Sequence, residues 1–407
     1  MAGAASGVDC SGAQEITMLS VAFVNADIGP GDPATLRIRD GRIIEVTTSP
    51  ATGDLMVDLH GDRLLPGLIN AHDHLQLNGF PTQEYCGQYR NAGEWIADFN
   101  ERIGLGSAFL ACKAVPRDIR LLQGGFKNLL SGVTTVAQHD PLYSTLLSAG
   151  YPTRVVEKYG WSHSLEIDTN EHIRHSYLNT PREQPWIIHA AEGIDAAAAA
   201  ELDRLDALGC LGPNTVLVHG VALDEARRHR LATVGAGLVW CPTSNLRLFG
   251  ATADVVDLIK SERVGLGTDS RLTGARDLLD ELRVAAAVTA FDDAILASLV
   301  TTAPARLLQL PDRGTLRAGA LADILVLPAE ARLANASRKD VRLVMSGGVM
   351  HYGDTDYARL LMPESLRVNI QVDGCMKVMD RRVAAPLLNG VVVEAGVELP
   401  NARRRAV

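Results

Sequence analysis

The sequence predicts an α/β fold: a TIM-type (β/α)8 barrel with one irregular unit over residues 64–309, and a small β-sandwich domain formed by both chain ends, 1–63 and 310–407 with a C-terminal tail. Three observations carry this reading. Between 64 and 309, short apolar runs alternate with helix-patterned stretches, the rhythm of a parallel sheet built from βα units. Each run ends in residues able to bind a metal, donate a hydrogen bond or move a proton, and barrels of this kind keep their chemistry at the carboxyl ends of their strands. The two flanks read as short strands joined by tight turns.

The N-terminal strands are "ITMLSVAFVNA", "ATLRIRDGRIIEV" and "DLMVDLHGDRLL". Within the second, "RDGR" carries the Asp-Gly signature of a tight hairpin. The barrel runs are "RLLPGLINAHDH", "GVTTVAQHD", "TRVVEKYGWSH", "PWIIHAAEG", "NTVLVHG", "GLVWCPTSN" and "RVGLGTDS". Helical patterns lie between them at 196–209, 224–235 and 277–291. That makes seven strands where eight are needed. The missing one is expected in 160–180, where "SLEIDTNEHIRHSYLNTPREQ" is weakly patterned, as a shortened or irregular unit. After 305, "RGTLRAGALADILVLP" and "VRLVMSGGVMHYGD" return to β texture and should join the N-terminal strands.

A net charge of −9 argues against a nucleic-acid partner held through phosphates, and the basic "ARRRAV" terminus reads as a solvated tail. No run of about 18 apolar residues is present to span a membrane. The start lacks the basic and apolar regions of a signal peptide. Six cysteines lie far apart without CxxC pairing, which reads as reduced thiols in a cytoplasmic enzyme. The expected partner is a small-molecule substrate. A homodimer is compatible with such a barrel, although no segment marks an interface.

The pleat of a strand puts His72 and His74 of "AHDH" on one face and turns Asp73 to the other. Imidazole suits zinc, iron or nickel, but two histidines two apart also fit an ordinary polar strand end. "IIHAAEG" ends an apolar run at His189 with Glu192 three residues on. "TVLVHG" repeats the pattern at His219, and "VGLGTDS" ends in Asp269, where an acid often serves only as a helix cap. Together these weigh more than singly, because chance placement of only 11 histidines would seldom deliver such groups to one rim. A metal site of His72, His74, His189 and Asp269 would leave Glu192 and His219 as free catalytic groups.

"PGLINAHDH", "GVTTV", "HAAEG", "VHG", "CPTSN", "GLGTDS" and "GTLRAGALADILVL" occur in this order. On these motifs the chain resembles the amidohydrolase superfamily, in its deaminase-like and chlorohydrolase-like branch, across nearly its whole length. The resemblance implies a distorted barrel with a small β domain, and one divalent metal ion per chain, zinc first and iron(II) or manganese(II) next. His72, His74, His189 and Asp269 would be the ligands, Glu192 the proton-shuttling acid, and His219 the group that polarises the attacked centre. Asp269 would also accept a hydrogen bond from the attacking water. Such an ion acidifies a bound water toward ~7, which suits hydrolysis of C–N bonds and, above all, deamination of an aminated heterocycle or amidine-like compound.

Three alternatives stay open at this point. Lys158 in "VVEKYGW" stands near a strand end, and binuclear relatives use a carboxylated lysine there to hydrolyse cyclic amides or peptides. The same machinery could expel chloride, and a non-catalytic scaffold could retain the fold. Substrate contacts are expected from Gln76, Asn78, His139, Trp161, His163, Asn245 and Arg247, all near strand ends. Arg271 would meet an anionic substrate group or cap a loop.

Overall fold

The structure is a computed structural model that describes residues 20–400 apart from 30, 32 and 83–87. Strands β1 (Val21–Ala26), β2 (Ala34–Arg39), β3 (Arg42–Thr47) and β4 (Leu55–Asp58) form a sheet in the order β3-β2-β1-β4. The β2–β3 turn is the Asp-Gly pair: Asp40 and Gly41 have φ of 51° and 75°, the left-handed conformation that a tight hairpin requires. β5 (Arg63–Pro66) leaves this sheet to pair elsewhere.

Eight parallel strands follow in two sheets. β6 (Leu68–Asp73), β7 (Val133–Gln138) and β8 (Arg154–Val155) make one. β9 (Gly160–Ser164), β10 (Trp186–Ala190), β11 (Thr215–His219), β12 (Gly237–Trp240) and β13 (Val264–Leu266) make the other, each beside the next. The first and last strands meet through backbone: Thr268 N–H donates to the His72 carbonyl at 2.9 Å, and His74 N–H to the Asp269 carbonyl at 2.8 Å. β8 and β9 form no ladder among the described residues.

The eighth strand, β9, falls at the start of the expected window 160–180 and belongs to an irregular unit, but the strand count of the preceding run is corrected. "TRVVEKYGWSH" holds two strands, β8 and β9, joined by residues 156–159 without a helix. Of the window 160–180, only 160–164 is strand, and the weakly patterned stretch contains the helix Asn170–Asn179, capped by Thr169. The break falls beside Gly160, where an added Cβ would overlap Thr180 Oγ1. The three helical patterns form helices Ala196–Ala207, Glu225–Thr233 and Leu278–Val288, each N-capped by an aspartate side chain.

The C-terminal strands are β14 (Ile324–Leu327), β15 (Leu343–Ser346), β16 (Val349–Gly353), β17 (Arg367–Val372), β18 (Cys375–Asp380) and β19 (Val397–Glu398). With β5 they form a seven-stranded sheet in which β5 and β14 pair antiparallel, Leu64 opposite Val326. Phe23, Leu36 and Ile43 of the first sheet share one apolar cluster with Leu64, Ile324 and Met345 of this one. Residues from the two ends of the chain thus bury each other's apolar faces. No helix among the described residues is long and apolar enough to cross a membrane. Cys112, Cys210, Cys241 and Cys375 are free thiols, while Cys10 and Cys86 lie outside the described residues.

Candidate metal centre

All six residues of β6 are buried, so the strand carries His72 into the interior and delivers His74 just past its end. Nε2 of His189, on β10, lies 3.3 Å from Nε2 of His72 and 3.3 Å from Nε2 of His74. Oδ1 of Asp269 is 3.9 Å and 3.7 Å from the same two nitrogens, and Thr273 Oγ1 donates to its Oδ2 at 2.6 Å. Burial, reinforced by neighbouring imidazoles, holds His72 and His189 well below the usual histidine pKa, so their lone pairs are available. Burial opposes charge on His74 as well, but the hydrogen bond and charge of Asp140 outweigh it and lift that pKa to about 9.

Each ring is oriented from behind. His189 Nδ1 donates to the His163 carbonyl at 2.8 Å, and His74 Nδ1 faces Asp140 Oδ2 at 3.3 Å. This is the outer-shell support that metal-bound histidines receive. Four donors around one ion at about 2.0–2.1 Å stand roughly 3.3 Å apart, and the distances from His189 Nε2 to the nitrogens of His72 and His74 meet that spacing. Three imidazoles and a carboxylate therefore fit a divalent ion of the zinc or iron kind.

Two proton-handling groups stand beside this donor set. Glu192 Oε1 is 3.6 Å from His219 Nε2. Burial pushes the Glu192 carboxyl up, and the nearby Asp269 charge adds to that, although His219 works against it. His219 Nδ1 lies 2.8 Å from Asn245 Oδ1, which fixes the ring so that Nε2 faces Glu192. Three residues at these strand ends adopt left-handed backbone without being glycine: Ala191 (φ 53°), His219 (φ 78°) and Asp269 (φ 55°). Each such conformation costs of order 1–3 kcal/mol, and such costs gather where side chains must be aimed.

A pocket of about 190 Å³ opens onto His74, His189, Glu192, His219 and Asp269. Gln76, Asp140 and His163 supply further polar wall, and Trp95, Ile96 and Leu248 an apolar one. Below it lies a buried ion pair: Lys127 Nζ is 3.2 Å from Asp73 Oδ2 and 2.8 Å from both Asn78 Oδ1 and Thr268 Oγ1. Asp73, turned away from the donor set as the pleat predicts, thus ties β6 to the loop that carries Asp269.

The structure gathers Gln76 and His163 at the pocket, but other expected contacts lie elsewhere. Asn245 is fully buried on His219, and Asn78 is bonded to Asp73 and Lys127 beneath the site. His139 is fully buried with its ring stacked on that of His189, and Trp161 packs edge-on against it. Arg247 donates to the Thr273 and Gly274 carbonyls and lines a separate groove of about 790 Å³. Arg271 pairs with Glu394 rather than facing a ligand. Lys158 is exposed beside Pro185, at the amino end of β10 and away from His189, so it bridges no metals there. Sequence reasoning missed Asp140 and Trp95. The first follows His139 in "AQHD" and was readable, whereas the second comes from the helix Ala92–Glu101, outside any strand end.

A sequence profile of the amidohydrolase family matches residues 167–350. The 5-methylthioadenosine/S-adenosylhomocysteine deaminase of Halobacterium salinarum is 27% identical over 362 residues, covering 76% of this chain and 83% of the relative. An adenosine deaminase structure from Xanthomonas campestris with bound zinc superposes with a TM-score of 0.68 at 19% identity, covering 84% of this chain and 96% of that one. An atrazine chlorohydrolase from Arthrobacter aurescens complexed with zinc superposes at 0.66 and 17% identity, covering 81% and 94%. At these identities the two structures speak to the fold alone: a TIM-type barrel.

Proposed function

We propose, on the premise that the chain belongs to the amidohydrolase superfamily as a hydrolase of carbon–nitrogen bonds, that it is a metal-dependent deaminase of an aminated heterocycle or amidine-like small molecule. The observation that carries the reading is the pair Glu192 and His219, 3.6 Å apart at the pocket and outside the donor set. A scaffold has no use for two free proton-handling groups beside four potential ligands.

His72, His74, His189 and Asp269 would hold the ion, with zinc the first candidate. When bound, a divalent ion supplies an acidified water as nucleophile. The other work falls to the chain. Asp269 keeps one carboxylate oxygen on Thr273 and turns the other toward the donor set, where it can accept a proton. Glu192, its pKa raised by burial, is the group placed to carry a proton and give it to a ring nitrogen or a departing amine. His219, steadied by Asn245, presents Nε2 to charge developing on the attacked centre. Trp95, Ile96 and Leu248 offer a flat apolar wall that suits a planar ring and excludes water from it.

The test is an ammonia-release screen of metal-loaded protein over purines, pyrimidines, pterins, triazines and guanidino compounds. Release from at least one class is expected, with Glu192→Gln losing ~10²–10⁴-fold in turnover while keeping its metal. Full activity in Glu192→Gln would remove the role assigned to it. No amine from any class would hand the pocket to amide hydrolysis or dechlorination.

A further inference from the structure

We propose that His139 is a further donor to the metal centre, so that four imidazoles and Asp269 surround the ion; the inference rests on the metal-dependent reading above. Donor nitrogens of His72, His74, His139 and His189 all lie within 4.8 Å of one another. The His139 ring stacks 4.2 Å from that of His189 and stands 5.1 Å from that of His72.

Its hydrogen bonding has the pattern of a ligand. Nε2 lies 2.9 Å from the Ser162 carbonyl, so Nε2 carries the hydrogen and Nδ1 is left with a lone pair. That Nδ1 is buried and has no hydrogen-bond partner among the described residues. His189 is held in the same manner by the next carbonyl along β9, that of His163, with its opposite nitrogen turned to the donor set. Two successive carbonyls of one strand thus orient two imidazoles, each leaving its other nitrogen free. Buried polar atoms nearly always find a partner, and an ion held by the neighbouring imidazoles would give this nitrogen one.

Substrate contact does not account for the residue, because His139 does not line the pocket. Its place at the end of β7, with Asp140 next to it, means that one strand end supplies both a donor and the carboxylate that orients His74. A donor set this rich in imidazole favours zinc or iron over manganese.

X-ray absorption at the metal edge of the zinc-loaded full chain counts bound imidazoles directly, and four are expected. His139→Phe, which keeps a stacked ring, should reduce the count to three and weaken zinc binding about 10–100-fold in chelator competition. His139→Gln should do the same, and circular dichroism would verify that both variants are folded. Three imidazoles in the wild-type chain, or unaltered zinc binding in both folded variants, would overturn this inference alone. A chain that takes up no ion would overturn it together with the reading beneath it.

Discussion

Nδ1 of His219 lies 2.8 Å from Oδ1 of Asn245, and both side chains are buried at the carboxyl end of the barrel strands. The amide sits in the first half of the helix Pro242–Phe249, so a rigid element rather than a loop holds the imidazole. Asn245→Ala should lower kcat by about 10²-fold, the scale of a misplaced catalytic group, with little change in KM or metal content. Asn245→Asp keeps an acceptor of the same size at this position and should retain more of the activity than Asn245→Ala. Steady-state kinetics would check both, and an Asn245→Ala variant indistinguishable from wild type would deny His219 its role.

Asp140 supports His74 from behind, Oδ2 to Nδ1 at 3.3 Å. Asp140→Asn should keep the fold yet weaken metal binding by about 10–100-fold. Competition with a chromogenic chelator measures this, and an affinity equal to wild type would count against the support.

Lys127 and Asp73 are both fully buried, and the lysine also reaches Thr268. Lys127→Met would leave a buried carboxylate with the amides of Asn70, Asn78 and Asn128 close by, at 3.3 Å, 2.7 Å and 2.8 Å, and no cation. A loss of about 3–5 kcal/mol in urea unfolding is expected. Changing Asp73→Leu in the same chain should restore part of it, and a double variant no more stable than the single one would speak against a charge effect.

Glu201 accepts from Ala191 N–H at 2.6 Å, and burial pushes its carboxyl up to about 7 from an ordinary 4.5. A folded-state pKa above the unfolded value means that the native chain binds the proton more tightly. Its contribution is therefore greatest below pH 4.5 and is lost as pH rises toward 7. Glu201→Gln removes the charge but keeps an acceptor. The variant should match wild type at about pH 4 and exceed it at about pH 8 by on the order of 1–2 kcal/mol, a value reduced for partial solvent screening. Thermal unfolding at the two pH values decides it, and an equal gain at both would exclude ionisation as the cause.

Much of the barrel was legible because its signals are local. "AHDH" on a pleated strand, "HAAE", "VHG" and "GTDS" each place a polar group at the end of an apolar run, and the structure brings these groups together at one pocket. What stayed hidden depends on partners distant in the chain. Nothing near Asn245 says that its amide meets His219, 26 residues away, or that Arg271 is taken by Glu394, 123 residues on. Periodicity failed at 154–164 for a different reason. Two strands belonging to different sheets follow one another without a helix, and a continuous apolar run cannot show that the hydrogen-bonding partner changes midway.

The backbone clasp between His72–His74 and Thr268–Asp269 joins the first barrel strand to the last, and both segments also carry donor groups. An ion held there would act as a rivet across the closing seam. Stripping it should then do more than abolish turnover: hydrogen exchange should quicken first along β6 and β13, and the melting temperature should climb with added metal until the site saturates. The cation that performs the chemistry would also be the last fastener put in when the cylinder shuts.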